Sequence, residues 1–339
     1  MSENFWRNYQ IRIEPWATEY DSPIGITDEE NISDKPPIDI TVESKDWKPR
    51  QPDPSAKIPE KIVFVDGRCR LDSRFLGQKD NEILYGVFAT VAVGAVLVDR
   101  NAQRATAIET SVKRAIAVGG NLMPPVTRVP CPLGTKATLT YDLCLTSSEN
   151  SPRASLSLIQ KSMLKEEAKL AEKFNNNSDI LVIRDGPLLY GLYKSPGLTM
   201  GYIKTMGKQY LNGDAAQILW HLNLGERTPI FFIGKPKQFK SHWSWYLRSG
   251  EQNIVPKNLG YHNLHGIVRM DLYGEVPLAK AIELANLSTV LIPQYASHPI
   301  RDPRAPQNLT PVGGLEKELG RHMGDRKVIE RRLRNFLIN

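Results

Sequence analysis

The sequence predicts an α/β fold in which a mixed sheet is flanked by helices, and three observations carry that expectation. From Ile62 to the C-terminus, apolar runs of strand length alternate with amphipathic stretches of helical length. Two of the runs, Ile62-Val63-Phe64-Val65 and Ile180-Leu181-Val182-Ile183, are apolar throughout, as strands buried on both faces are. Both lead into an Asp-Gly pair, Asp66-Gly67 and Asp185-Gly186.

Size and composition fit a large buried core. The 339 residues are 41% hydrophobic and 24% charged, and no run reaches the roughly 20 apolar residues of a membrane span. The N-terminal Met1-Ser2-Glu3-Asn4 lacks the basic and apolar regions of a signal peptide. Cys69, Cys131 and Cys144 are odd in number and far apart, which argues against a disulfide framework or zinc set and suits a reducing cytoplasm. Residues 1–60 carry 7 Lys/Arg against 13 Asp/Glu, a net of −6, so the whole-chain +7 leaves +13 on residues 61–339. A basic body of this kind suits a polyanionic ligand such as nucleic acid.

The boundary between these two parts is also a boundary of pattern. Residues 1–60 are rich in Pro, acids and aromatics (Trp6, Trp16, Tyr20, Trp47) and hold no helical or strand period. They read as an arm whose aromatics pack on the body or on a partner. The body, 61–339, opens with a strand ending at Asp66, followed by a polar segment from Arg68 to Asn81. Ile83–Asp99, Ala105–Val118 and Ala137–Leu145 are further strand candidates. Ser151-Pro152 starts a helix that runs to about Phe174. Strands follow near 180–185, 201–204, 229–233, 243–248 and 266–273, with helices near 215–224, 277–291, 315–322 and 326–337. The block from Tyr295 to Asn308 reads as loop.

Glu167 is the residue that makes Asp66 and Asp185 more than turn formers. It lies four residues after Met163, three before Leu170 and seven before Phe174, on the apolar stripe of the 151–174 helix. Acids are seldom buried unless paired or metal-bound, although a small roll of the helix would return Glu167 to solvent. One acid on a strand, a second on a helix and a third after another strand resemble the metal site of ribonuclease H-like nucleases. Such sites hold Mg²⁺ or Mn²⁺ through carboxylate oxygens.

The order and context of the motifs are narrower still. Val65-Asp66-Gly67, the acid-bearing helix, Arg184-Asp185-Gly186-Pro187-Leu188 and Gly201-Tyr202-Ile203-Lys204 resemble the NurA nuclease family. Asp302-Pro303-Arg304-Ala305-Pro306-Gln307-Asn308-Leu309, Leu315-Glu316 and Leu319-Gly320-Arg321-His322-Met323-Gly324-Asp325 look like its cyanobacterial branch. The resemblance spans roughly residues 60–339 and implies a ribonuclease H-like mixed sheet, Mn²⁺- or Mg²⁺-dependent DNase activity and 5′-to-3′ resection of DNA ends. It further implies single-strand endonuclease activity, a homodimer and a HerA-type hexameric DNA translocase as partner in repair. Carried onto this chain, it makes Asp66, Glu167 and Asp185 metal ligands, with Glu166 the alternative to Glu167. Lys204 becomes the residue that holds the scissile phosphate, and Tyr202 lines the DNA path. For the last ligand this chain departs from the family pattern: Asp302 is the candidate, with His298 and Asn308 behind it.

Lys240, Trp243 and Arg248 stand in a stretch where cations and aromatics interleave, which suits single-stranded DNA. The alternation of Trp243 and Trp245 equally describes one face of a packed strand. Arg326, Lys327, Arg331, Arg332 and Arg334 give the terminal helix a basic face. Two rival readings stand beside the nuclease: a catalytically weakened DNA-binding subunit of a translocase, and a ribonuclease H-like enzyme acting on RNA.

Overall fold

The computed structural model describes residues 2–13, 36–79, 81–131, 137–175, 179–190, 198–205, 208–236, 240–250, 264–298 and 305–338. Its centre is a long antiparallel meander. Strands β3 (Lys61–Lys79), β4 (Glu82–Asp99) and β5 (Arg104–Val118) pair in succession. Helix α2 (Pro152–Asn175) then crosses the sheet and leads into β9 (Ile180–Asp185), which pairs parallel to β3. Next to β9, and parallel to it, lies β10 (Thr199–Ile203). The order β5-β4-β3-β9-β10 is a ribonuclease H-like arrangement, the mixed sheet expected from the sequence.

The sheet continues beyond that core. β13 (Ile267–Tyr273), β12 (His242–Arg248), β11 (Phe231–Ile233) and β2 (Ile38–Asp39) extend it antiparallel from β10. At the other edge β8 (Leu143–Thr146) pairs parallel with β5. β6 (Thr127–Pro130) and β7 (Thr138–Tyr141) form a separate hairpin, and β1 (Arg12–Ile13) pairs with the far end of β3.

Strand parity assigns each face its helices, because successive residues of a strand point to opposite sides. Val63, Val65 and Val182 pack against Leu156, Ile159 and Leu170 of α2. Ile62, Phe64 and Ile183 share the opposite cluster with α4 (Leu278–Tyr295) and α5 (Thr310–His322), through Leu284, Leu315 and Leu319. Helix α6 (Arg326–Ile338) covers the outer end of β3 and β4 with Ile329, Leu333 and Leu337. α3 (Gly213–Gln217) continues as a 3₁₀ turn to Trp220 and packs on β11 and β12. Among the described residues, no helix is long and apolar enough to cross a membrane.

The first 60 residues are stitched into this body at both ends. Helix α1 (Ser2–Asn8) buries Trp6, which stacks on Phe88 at a centroid distance of 5.4 Å. The indole of Trp47 donates to the carbonyl of Ala215 at 3.0 Å. Arg227 donates to both oxygens of Glu43 at 2.8 Å, and Glu43 also accepts from the Ile230 amide at 2.6 Å. Trp16 and Tyr20 lie outside the described residues.

Two sequence expectations need correction here. Asp66 does not end its strand, because β3 runs on through the polar segment to Lys79. Those polar residues are accommodated by pairing: Asp72, at the bulge between Leu71 and Ser73, is fully buried among hydrogen-bond donors. Arg248 is likewise not a surface cation. β12 lies inside the sheet, and the buried Arg248 guanidinium donates to the carbonyls of Leu222, His265 and Leu219.

Helix α5 carries Gly313 and Gly314 in its interior, and a methyl group added at either would meet nothing within 4 Å. Gly314→Ala should therefore raise stability by roughly 0.5–1 kcal/mol, since glycine costs a helix about that much relative to alanine. A higher urea midpoint with an unchanged slope is the expected reading; a lower midpoint contradicts this open surface.

Candidate metal centre

The register of β3 and β9 builds the centre of the site. Val65 pairs with Arg184 across parallel strands, so the next residues, Asp66 and Asp185, stand side by side on the α4/α5 face. β9 stops at Asp185; Gly186, with φ of +122°, turns the chain away and gives its amide to Tyr202 O at 2.8 Å. A third carboxylate arrives from α5. One oxygen each from Asp66, Asp185 and Glu316 lies within 4.8 Å of the others.

Glu316 reaches the sheet because β4 is thin where the helix crosses. Gly94 is the cross-strand partner of Asp66, and a Cβ there would lie 2.9 Å from Leu315 Cδ1 and 3.1 Å from Leu319 Cδ2. The triad grades outward: Asp66 is buried, Asp185 keeps 11% of its side chain open, and Glu316 is exposed. Arg68 donates to the Glu316 carbonyl at 3.3 Å and lies exposed on the same face.

The electrostatics are those of a site short of positive charge. Asp66 Oδ2 is buried with no hydrogen-bond partner among the described residues. Burial, then the charges of Asp185 and Glu167, push the Asp66 carboxyl well above the usual carboxylate range, and Lys204 only partly opposes them. Burial also raises Asp185, against the pull of Lys204, whose ammonium lies 2.6 Å from Asp185 Oδ2. Burial alone would lower the Lys204 pKa, but Asp185, Asp66 and Glu316 raise it, so this lysine stays protonated.

An orphaned carboxylate oxygen, two further carboxylates within reach and an open side fit a hard divalent cation, which takes oxygen ligands and retains waters. Asp66, Asp185 and Glu316 are the residues that would hold it.

Glu167 does not join this group. Its helix packs on the Val63/Val65 side of the sheet, so it meets Gly67 rather than Asp66. There its Oε2 accepts from Arg184 Nε at 3.1 Å and Nη2 at 2.9 Å, a fully buried ion pair. Burial raises the Glu167 pKa to about 7 even with Arg184 beside it. A Cβ at Gly67 would stand 2.3 Å from Glu167 Oε1 and 2.9 Å from Met163 Cγ. Since Arg184 fixes the carboxylate, Gly67→Ala should cost about 1–3 kcal/mol of stability, the usual penalty for overpacking. Urea melts of the two proteins decide the point, and equal midpoints would show that Glu167 moves aside freely.

The other described sequence candidates fall elsewhere. Glu166 pairs with Lys113 at 2.7 Å and Lys169 at 2.9 Å, towards β5 and the helix surface. Tyr202 is buried and donates to Gln307 O at 2.9 Å, which removes it from a DNA path. Trp243 is half-buried, packed at 4.5 Å on Phe232, with its indole N–H on Val276 O. It is a strand-packing residue rather than an open stacking platform. Lys240 is exposed at the turn before β12. His298 and Asn308 are exposed, and Asn308 uses its backbone to bond Ser297 and Ala305. Asp302 lies outside the described residues.

Sequence candidates do not include Glu316, yet the same helical spacing that marks Glu167 marks this residue. It stands four residues after Val312, three before Leu319 and seven before Met323, all buried.

No family model matches the chain, and no curated protein does. Among solved structures, it is similar to the NurA nuclease from Sulfolobus solfataricus, with a TM-score of 0.40 and 11% identity over 72% of this chain and 76% of that one. It is also similar to endonuclease V from Bacillus subtilis, with a TM-score of 0.32 and 13% identity over 80% of this chain and 86% of that one. Neither similarity assigns a role to any side chain.

Proposed function

We propose that this chain is a divalent-cation-dependent deoxyribonuclease that hydrolyses phosphodiester bonds at DNA ends, with residues 61–339 as the nuclease body. The observation that carries the reading is the meeting of Asp66, Asp185 and Glu316 around the unpartnered Asp66 oxygen, beside a protonated Lys204. Mn²⁺ or Mg²⁺ bound there supplies Lewis acidity towards the phosphoryl oxygens and makes a bound water more acidic.

The chain's own residues do the rest. Lys204 pairs with Asp185 and, in this reading, holds a phosphate oxygen by a charge-assisted hydrogen bond. Arg68, exposed on the same face, offers its remaining N–H groups to a neighbouring phosphate. Buried Arg184 lies behind the site; its bond to Pro187 O at 2.7 Å holds the turn that follows Asp185. The 5′-to-3′ polarity, single-strand cleavage, homodimer, cytoplasmic setting and HerA-type translocase belong to this proposal and rest on the sequence resemblance.

The withdrawal of Glu167 onto Arg184 favours a second reading, a DNA-binding translocase subunit that does not cleave. One assay separates the two. Purified full-length protein is incubated with blunt, overhanging and single-stranded DNA, and with RNA, in Mn²⁺, Mg²⁺ or EDTA. Cation-dependent shortening of DNA supports the nuclease; binding without cleavage under every cation supports the second reading; preferential loss of RNA overturns the choice of substrate.

A further inference from the structure

Helix α5 is held at its C-terminal end by a cluster of charges around the buried Asp72 that has no part in the candidate metal centre. Asp72, the extra residue at the β3 bulge, is fully buried. Its Oδ1 accepts from Arg70 Nε at 3.2 Å and Nη2 at 3.1 Å. Its Oδ2 accepts from Thr90 Oγ1 at 2.6 Å and Tyr141 OH at 2.9 Å, with Arg114 Nη1 at 3.5 Å. Both arginines then reach beyond Asp72. Arg70 donates to Gly324 O at 2.6 Å and Met323 O at 3.1 Å, and Arg114 donates to Met323 O at 3.4 Å. Those carbonyls belong to the C-cap of α5 and the residue just beyond it, at the end where a helix leaves acceptors unsatisfied and its dipole favours cations.

Met323 lies seven residues beyond Glu316, two turns along the same face of the helix. A clamp on Met323 and Gly324 therefore constrains the rotation and axial position of the turn that carries Glu316, together with the bond from Arg68 to the Glu316 carbonyl. Leu315 and Leu319 against Gly94 fix the distance of the helix from the sheet, but an apolar contact of this kind lets a helix slide and roll. The hydrogen-bonded carbonyls do not.

We propose that Asp72, with Arg70 and Arg114, is a positioning cluster that fixes Glu316 over Asp66 and Asp185 and so makes the centre select small, geometrically strict cations. The inference rests on the reading of Glu316 as a cation ligand. Mg²⁺ demands near-octahedral geometry at short distances, whereas Ca²⁺ accepts irregular sets of oxygen ligands. A loosened α5 should therefore weaken Mg²⁺ binding more than Ca²⁺ binding, a difference that general loss of stability does not produce.

The test measures Mg²⁺ and Ca²⁺ affinity by calorimetry for full-length protein, Asp72→Asn, Arg70→Gln and Glu316→Gln, and for each of the first two combined with Glu316→Gln. Arg70→Gln leaves Asp72 with Arg114, Thr90 and Tyr141, so it reports on the clamp if Asp72→Asn fails to fold. The expected result is a loss of Mg²⁺ affinity of about 10-fold or more in each single variant, as for other residues that support metal ligands. The Ca²⁺ loss should be smaller, and neither clamp change should add a loss in the Glu316→Gln background. Unchanged affinity in Asp72→Asn and Arg70→Gln, or equal losses with and without Glu316, overturns the clamp. Unchanged affinity in Glu316→Gln alone overturns the site reading instead, so the two failures are distinct.

Discussion

Asp66→Asn and Asp185→Asn should each reduce cation-dependent DNA cleavage by on the order of 10³-fold, the scale seen when one charge-stabilising group leaves a preorganised site. The substitution keeps the shape of each side chain and removes one anionic ligand. Asp66 is the more informative of the two. Its Oδ2 has no partner among the described residues, so an amide there disturbs no hydrogen bond that they make to it. The folded protein should be at least as stable as the parent when cation is absent, because one of several crowded carboxylates has been neutralised. Asp185→Asn differs in that it also loosens Lys204 from its 2.6 Å contact. Cleavage by both variants at the parental rate, in protein with parental circular dichroism, would remove these residues from the chemistry.

The second large effect is on stability, and its sign follows from the raised carboxyls. Asp66 has a folded-state pKa well above its ordinary value of 3.8 because of burial and the nearby charge of Asp185. A group raised in this way favours the protonated fold. Its contribution is fully present below the ordinary carboxylate range and is lost as pH rises through the elevated value. Glu167, raised by burial to about 7, works in the same direction. Each unit of elevation corresponds to about 1.4 kcal/mol. In EDTA, thermal stability should therefore fall between pH 5 and pH 8. Mn²⁺ binds the deprotonated carboxylates, so it should restore stability most at pH 8, by about 2.7 kcal/mol at a hundredfold excess over its dissociation constant. Asp66→Asn should make the EDTA profile shallower, leaving the part due to Glu167, and abolish the Mn²⁺ shift. A parent whose melting temperature rises from pH 5 to pH 8 in EDTA would contradict the charge crowding described here.

Much of this arrangement is legible in the residues, and the parts that are not have specific physical causes. The strands at Ile62 and Ile180 announce themselves because both are apolar on every position, and the Asp-Gly pairs mark the two aspartates that the register sets side by side, although only β9 stops at its aspartate. β4, β5, α2, β13 and α6 lie close to where periodicity puts them, while α5 starts at Thr310, five residues before its expected start. The continuation of β3 to Lys79 is hidden because Arg70, Asp72 and Arg74 look like loop residues until Thr90, Arg114 and Tyr141 arrive from distant segments to pair with Asp72. Arg248 misleads for the same reason: only the neighbouring chain shows that three carbonyls await it.

Glu167 and Glu316 make the sharper case. Helical periodicity says that each sits on an apolar stripe, yet it does not say which face of the sheet the helix covers. Asp66 and Gly67 differ by one residue and therefore by one face. α2 covers the side of Gly67, and Glu167 finds Arg184; α5 covers the side of Asp66, and Glu316 finds the aspartates. That choice of face is made by tertiary packing, beyond the reach of a local pattern.

The central claim is that the cation ligands are Asp66, Asp185 and Glu316. Its most direct test is the anomalous scattering from a crystal of the full-length protein soaked in Mn²⁺. The expected result is one peak within coordinating distance of oxygens from all three residues, with Glu167 still on Arg184. A peak held by Glu167 with Glu316 turned to solvent would contradict the assignment, and so would a peak away from Asp66.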